Sequence, residues 1–421
     1  MLVVTTILVL GAATLPAAAT APDTSNPQIS VTVTRTAGGD ALAYTVTVTN
    51  LEAAGRLWVD TPVPTTAASG VTQPADGRYR WDGTATTVRL TVVPPPSTVE
   101  AATDTWALGT TPRLTVGWQS PSGGAVFRVT PFEHPDAPHV DLRTQGPGIV
   151  GTDFAFLGPA TVHTRATVDG TVELVVPAGV TPTADPRAVL DVVERAATRL
   201  GDGAGPVDAR VFVVPEDGDA RGGTYLSSDE SWITASARLD TADNTWLHEY
   251  LHTRQRFDLG PRMRWFREAS AEYLAARLAT DLDLVSTTAL QTYLLRQSGP
   301  PSRLTDPGTW PDDGTPYDRG ARVLAALDRQ IRDRTEGRHS LATVFRRLNA
   351  YDGTVTYPVF VTTVTDVAGA DLGPWLDHHV AGATPVRTAP PATLLDGAGL
   401  PAIGLLVVLS GIFLQPRPRR R

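Results

Sequence analysis

The feature that most constrains the fold is a change of hydrophobic period along the chain. Residues 28–50, QISVTVTRTAGGDALAYTVTVTN, alternate apolar and polar side chains across two runs joined by Gly38-Gly39. A period of two puts every second residue on one face, so a β-hairpin with one buried face is expected. GRLWVDTPV, TTVRLTVV, PRLTVGWQ and AVFRVTPF repeat the pattern up to residue 132. Short strands at such spacing predict a β-sandwich. Residues 133–150 are rich in Pro and Gly and read as a connector. Beyond them lies a mixed region, with strands expected in ATVHTRATV, GTVELVVPAG and DARVFVVPE. The helix DPRAVLDVVERAATRLG lies among them, capped by Asp185 ahead of Pro186. From residue 242 the period turns helical, with helices expected at 242–257, 262–280, 286–297, 317–334, 340–349, 355–368 and 371–381. The expected class is therefore α+β: an N-terminal β-sandwich over 22–132, then a small mixed sheet and a mostly helical block within 151–383.

The ends carry two apolar runs. Residues 1–21 have the apolar stretch and Ala19-Thr20-Ala21 site of a secretory signal, though no charged segment precedes them. Residues 398–415 form a short apolar run followed by the arginine-rich 416–421, after the Pro- and Ala-rich stretch 384–397. That order reads as a stalk, a transmembrane anchor and a basic cytoplasmic tail. The expected location is the cell membrane, single-pass with the catalytic domain outside, or otherwise surface-anchored or secreted.

Composition then limits the chemistry. Cysteine is absent, so disulfides and thiolate ligands are excluded and any metal must be held by His, Asp or Glu. The formal charge is −8 and the arginines are scattered, so there is no basic stripe for nucleic acid.

Against that limit, the segment TWLHEYLHTRQRF places His248 and His252 four positions apart with Glu249 after the first. On a helix, positions i and i+4 share a face, so both imidazoles can reach one ion, and Glu249 stands beside its open position as a proton acceptor. The competing reading is a polar surface helix. A third ligand is available from the next helix, MRWFREASAEYLAARL, where Glu268 follows His252 after fifteen intervening residues. Glu272 lies one turn further on the same face, either orienting a ligand or pairing with an arginine at the surface. His134, His139, His163, His339, His378 and His379 are expected to have no metal role.

H-E-x-x-H followed by WFREASAEY resembles the gluzincin metallopeptidases, which pair that motif with a W-x-x-E-(G/A)-x-(A/T)-x-Y helix. TPYDRGARVLAALDRQ resembles their Y-x-(K/R)-G-A helix, and FVTTVTDVAGADLGPWLDHHVAG the closing segment of the glycyl aminopeptidase branch, in the aminopeptidase N clan. The resemblance implies a thermolysin-like catalytic block holding one Zn2+ per chain through His248, His252 and Glu268. It also implies Glu249 as general base and Tyr317 as donor to the oxyanion, and thus a zinc peptidase acting on peptides or proteins. RGGTYLSSDESW matches the substrate-edge strand, making the backbone at Gly222 and Gly223 the expected peptide-binding edge. Two departures stand out. The spacer before Glu268 is shorter than the family's. Thr224, Tyr225 and Leu226 occupy the place where aminopeptidases put an acidic residue for the substrate's free amine. Exo- and endo-cleavage both remain open, and the alternative function is an inactive metallopeptidase-like binding module.

Overall fold

A computed structural model describes residues 25–73, 77–168, 170–201, 208–216, 223–225, 229–296 and 301–386. The expected signal segment 1–21, the anchor 398–415 and the tail 416–421 lie outside these, as does the stalk beyond 386. The single-pass membrane reading is corrected: among the described residues no helix is long and apolar enough to cross a membrane.

The period-two segments form strands as their pattern requires. Gln28–Arg35 and Leu42–Thr49 pair antiparallel from Gln28↔Thr49 to Arg35↔Leu42. That register sends Ile29, Val31, Val33, Tyr44, Val46 and Val48 into the interior and leaves the intervening threonines on the outer face. With Val88–Val92, Thr65–Ser69 and Val140–Thr144 they make one five-stranded sheet. A second sheet contains Val126–Val129, Thr115–Gln119, Arg56–Asp60, Tyr79–Trp81 and Val71–Thr72. Leu57, Val59, Val116, Trp118 and Val129 of the second share one core with the valines of the first, so the pair is a sandwich. Each fully buried Val or Leu stabilises it by about 1.5–3 kcal/mol before entropy is counted.

Residues 133–150 are more than a connector. Val140–Thr144 pairs in parallel with Gln28–Arg35, and Gly148–Val150 pairs with Phe154–Leu157. The prolines and glycines mark only the turns around these strands, and their density hides the short edge strand VDLRT.

A third sheet, with order Gly148–Val150, Phe154–Leu157, Ala107–Thr110, Val99–Ala102, links the sandwich to a mixed sheet. Its Trp106, Leu108, Phe154 and Phe156 pack with Val175, Phe212 and Val214 of that mixed sheet. Glu230 locks the junction. One oxygen accepts hydrogen bonds from the Asp153 and Phe154 amides at 2.9 and 3.0 Å, the other from Arg210 at 2.8 Å. Gly151 is required there, because a Cβ at that position would lie 1.7 Å from Glu230 Oε1.

The mixed sheet has the order Ala160–Thr167, Gly170–Pro177, Ala209–Val214, Glu230–Thr234, Gly223–Tyr225. Its middle pairs run parallel, joined across the first by helix α1, Pro186–Leu200. Asp185 caps α1 by accepting from the Arg187 and Ala188 amides, with Pro186 in the first turn, as the sequence predicts. The helical block consists of α2 (Thr245–Thr253), α3 (Trp265–Asp281), α4 (Thr287–Arg296), α5 (Ala321–Arg334), α6 (Leu341–Asn349), α7 (Tyr357–Ala368) and α8 (Gly373–Leu376). π-helical turns at Pro316–Gly320 and Asp377–Ala381 precede α5 and follow α8. Helix α3 is buried nearly all round, from Trp265 and Phe266 to Leu278, and forms the centre of the block. The architecture is the α+β arrangement expected: sandwich, small mixed sheet, helical block.

Candidate metal centre

Helix α2 starts at Asn244, whose side chain accepts from the Leu247 amide at 3.1 Å and donates to the Leu239 carbonyl at 2.8 Å. This fixes the first turn, and the i, i+4 spacing then places His248 and His252 on one face. Every residue of α2 from Trp246 to Thr253 is buried, so the face is interior and not the polar surface helix of the competing reading. The chain leaves α2, pairs Asp258–Leu259 with Thr354–Val355, and enters α3 with Glu268 in its first turn.

The three side chains converge. His252 Nε2 lies 3.0 Å from His248 Nε2, and Glu268 Oε2 lies 3.1 and 3.5 Å from those two nitrogens. All three candidate ligand atoms fall within 4.8 Å of one another, and among the described residues this is the group of His and carboxylates able to hold a metal ion. A tetrahedral ion bound at ~2.0–2.2 Å keeps its ligand atoms about 3.3–3.6 Å apart, close to these spacings.

The outer nitrogen of each ring fixes its orientation. His248 Nδ1 lies 2.8 Å from Glu272 Oε2. His252 Nδ1 lies 3.1 Å from Gln255 Oε1, while Gln255 Nε2 donates to the Arg267 carbonyl at 2.7 Å and to Ser270 Oγ at 3.1 Å. With both Nδ1 atoms turned to oxygens, both Nε2 atoms face the same point. Two ring nitrogens and a carboxylate oxygen this close need a positive charge among them: a proton on His248 in the metal-free chain, or a divalent cation in its place, which the donor set fits.

The electrostatics say the same. Burial alone would lower the His248 pKa, but the Glu268 and Glu272 hydrogen bonds and the nearby carboxylate charges raise it to about 10. Burial pushes Glu268 up, yet the His248 and His252 hydrogen bonds and charges win and hold it well below the usual carboxylate range. Glu249 is pushed above its ordinary value, first by burial and then by the Glu268 and Glu272 charges, against the pull of the two histidines. It is 5% exposed, and its Oε2 is buried without a hydrogen-bond partner.

Tyr317 lies in the π-helical turn, its ring stacked on His248 at 5.7 Å and 11°. Burial, followed by the charge and hydrogen bond of Glu268, raises its phenol further above the ordinary range, so it stays a neutral donor. Gly320 permits this placement: a Cβ there would lie 2.6 Å from the Ala269 Cβ, one residue beyond Glu268. Of the expected peptide-binding edge, Gly223 opens the strand Gly223–Tyr225 at the rim of the mixed sheet, antiparallel to Glu230–Thr234. Gly222 lies outside the described residues.

Two residues at the site are absent from the sequence-based set. Gln255 holds His252, and nothing marks a glutamine beyond a helix end as a partner. Tyr293 on α4 donates to Glu272 Oε1 across 21 positions of chain, which local spacing cannot reveal.

No protein-family profile and no curated protein matches the chain. Among solved structures the fold is similar to an aminopeptidase N family protein from Idiomarina loihiensis, with a TM-score of 0.58 and 13% identity over 85% of this chain and 77% of that one. It is similar to an M1 zinc metallopeptidase from Deinococcus radiodurans, with a TM-score of 0.53 and 16% identity over 89% of this chain and 95% of that one. A mutant M1 zinc metallopeptidase from the same organism, bound to a Tyr-Ser-Ala substrate, gives 0.52 and 16% over 87% and 95%. At these identities the likeness establishes the architecture: the chain has an M1 aminopeptidase-like α+β fold.

Proposed function

We propose that this chain is a zinc-dependent peptidase of the gluzincin kind, with His248, His252 and Glu268 holding one Zn2+. The observation that carries the proposal is the convergence of His248 Nε2, His252 Nε2 and Glu268 Oε2 while both Nδ1 atoms are engaged elsewhere. Zinc, when bound, supplies Lewis acidity at that point. Glu249 takes the proton of the attacking water and passes it to the leaving amine, and its raised pKa suits both transfers. Tyr317 donates its phenolic proton in a hydrogen bond to the oxygen on which negative charge develops. The rim strand beginning at Gly223 offers backbone groups to an extended peptide. The nearby fold relative with a tripeptide substrate bound supports peptides as the substrate class.

Glu249→Gln tests the proposal, because it keeps the shape and removes the base. The expected result is full zinc occupancy with hydrolysis of a peptide library lost. A wild-type chain that binds zinc and cleaves nothing would instead be a binding module, and one that binds no zinc would end the metal reading.

A further inference from the structure

His248 and His252 are held by different kinds of partner. His252 leans on a neutral carboxamide, Gln255, itself fixed by Arg267 and Ser270 of α3. His248 leans on the carboxylate of Glu272, which is 7% exposed and lies in the same helix as Glu268. A buried carboxylate has two oxygens to satisfy, and a free one can rotate to face either the imidazole or the ion itself. Here the second oxygen is taken. Tyr293 reaches in from α4 and donates its hydroxyl hydrogen to Glu272 Oε1 while Oε2 faces His248 Nδ1.

The tyrosine is a side chain with a defined seat. Its ring packs against the main core beside Leu290 and Leu294, the buried residues of α4. The hydroxyl therefore arrives on a fixed lever, and Glu272 is gripped from both sides.

We infer that Tyr293 is a positioning residue of the metal centre, which pins the Glu272 carboxylate so that it holds the His248 ring with Nε2 turned to the ion. The inference rests on the metal reading above. Tyr293 meets the centre at Glu272 and acts through it, so its effect must vanish when Glu272 can no longer orient the ring.

That dependence gives the test, made on the full chain with zinc affinity measured by chelator competition. Loss of an outer partner of a metal-bound histidine typically costs 10–100-fold in affinity. Tyr293→Phe, which keeps the ring and its packing, is expected to weaken zinc binding about tenfold. Glu272→Ala, which leaves His248 Nδ1 with no acceptor at that position, is expected to weaken it at least as much, and the double variant no further than Glu272→Ala alone. With Co2+ in place of zinc, the visible absorption bands of Tyr293→Phe should shift, a change that general loosening of α4 would not cause. A wild-type chain that binds zinc and a Tyr293→Phe chain that binds it as tightly overturn this inference alone. Additive losses in the double variant overturn it as well, by showing an effect independent of Glu272. A wild type that binds no zinc overturns the metal reading itself.

Discussion

His248 illustrates how a residue can report on a ligand. Without an ion its neighbours hold its proton up to about 10, above the ordinary 6.5, so in the metal-free chain this contact stabilises the fold fully below about 6.5 and fades as pH rises through 10. Coordination needs the neutral ring, so zinc and proton compete for it. Zinc uptake at pH 7 is expected to release about one proton per site, and affinity to rise about tenfold per pH unit from 7 to 9. Titration calorimetry in buffers of different ionisation heat checks both, and a heat independent of buffer would contradict them. At the same scale, Tyr317→Phe is expected to lower kcat by ~10²–10³ with zinc content unchanged, since it removes one oxyanion donor and no ligand. Steady-state kinetics with metal analysis decides this one.

At the scale of elements, helix contacts govern where the tyrosine sits. Gly320 has ordinary helical backbone angles, and in a helix interior Gly→Ala usually gains up to ~1 kcal/mol. Here the added methyl would meet Ala269 at 2.6 Å, and the π-helical turn must move off α3. Gly320→Ala is therefore expected to destabilise the chain by about 1–3 kcal/mol and to lower kcat. A melting temperature equal to or above wild type would remove the packing argument. The same contrast between local and distant contacts explains what the sequence made legible. The strand pattern of 28–50, the cap at Asp185 and the His248–His252 spacing are local, and each appears in the structure where the pattern puts it. Glu268 was reachable through its resemblance to a known helix motif, because the spacing alone does not say that α3 folds back on α2. Gln255 and Tyr293 were not, since their meaning comes from which helix turns toward which. The edge strand Val140–Thr144 was masked by surrounding turn residues, and no period distinguishes a π-helical turn at 316–320 from an ordinary helix start.

Across the whole molecule, the sandwich and the mixed sheet are joined by a shared aromatic core and by Glu230. Replacing Glu230 with alanine leaves Arg210 without that partner and two amides unsatisfied at the junction. Arg210 keeps Glu173 and some solvent contact, so the expected loss is about 2–3 kcal/mol, near the low end for a broken buried pair. Calorimetry should then resolve two unfolding transitions, and a single transition at the wild-type temperature would show the junction to be held by its aromatic core alone. The origin of the three candidate ligands has a consequence for the molecule as a whole. Two come from α2 and one from α3, so an ion bound there would be a clasp closing the gap between the helices. At 100 times its dissociation constant such a clasp adds about 2.7 kcal/mol of stability. A chelator should therefore soften this fold as well as silence it, with amide exchange quickening first along α2.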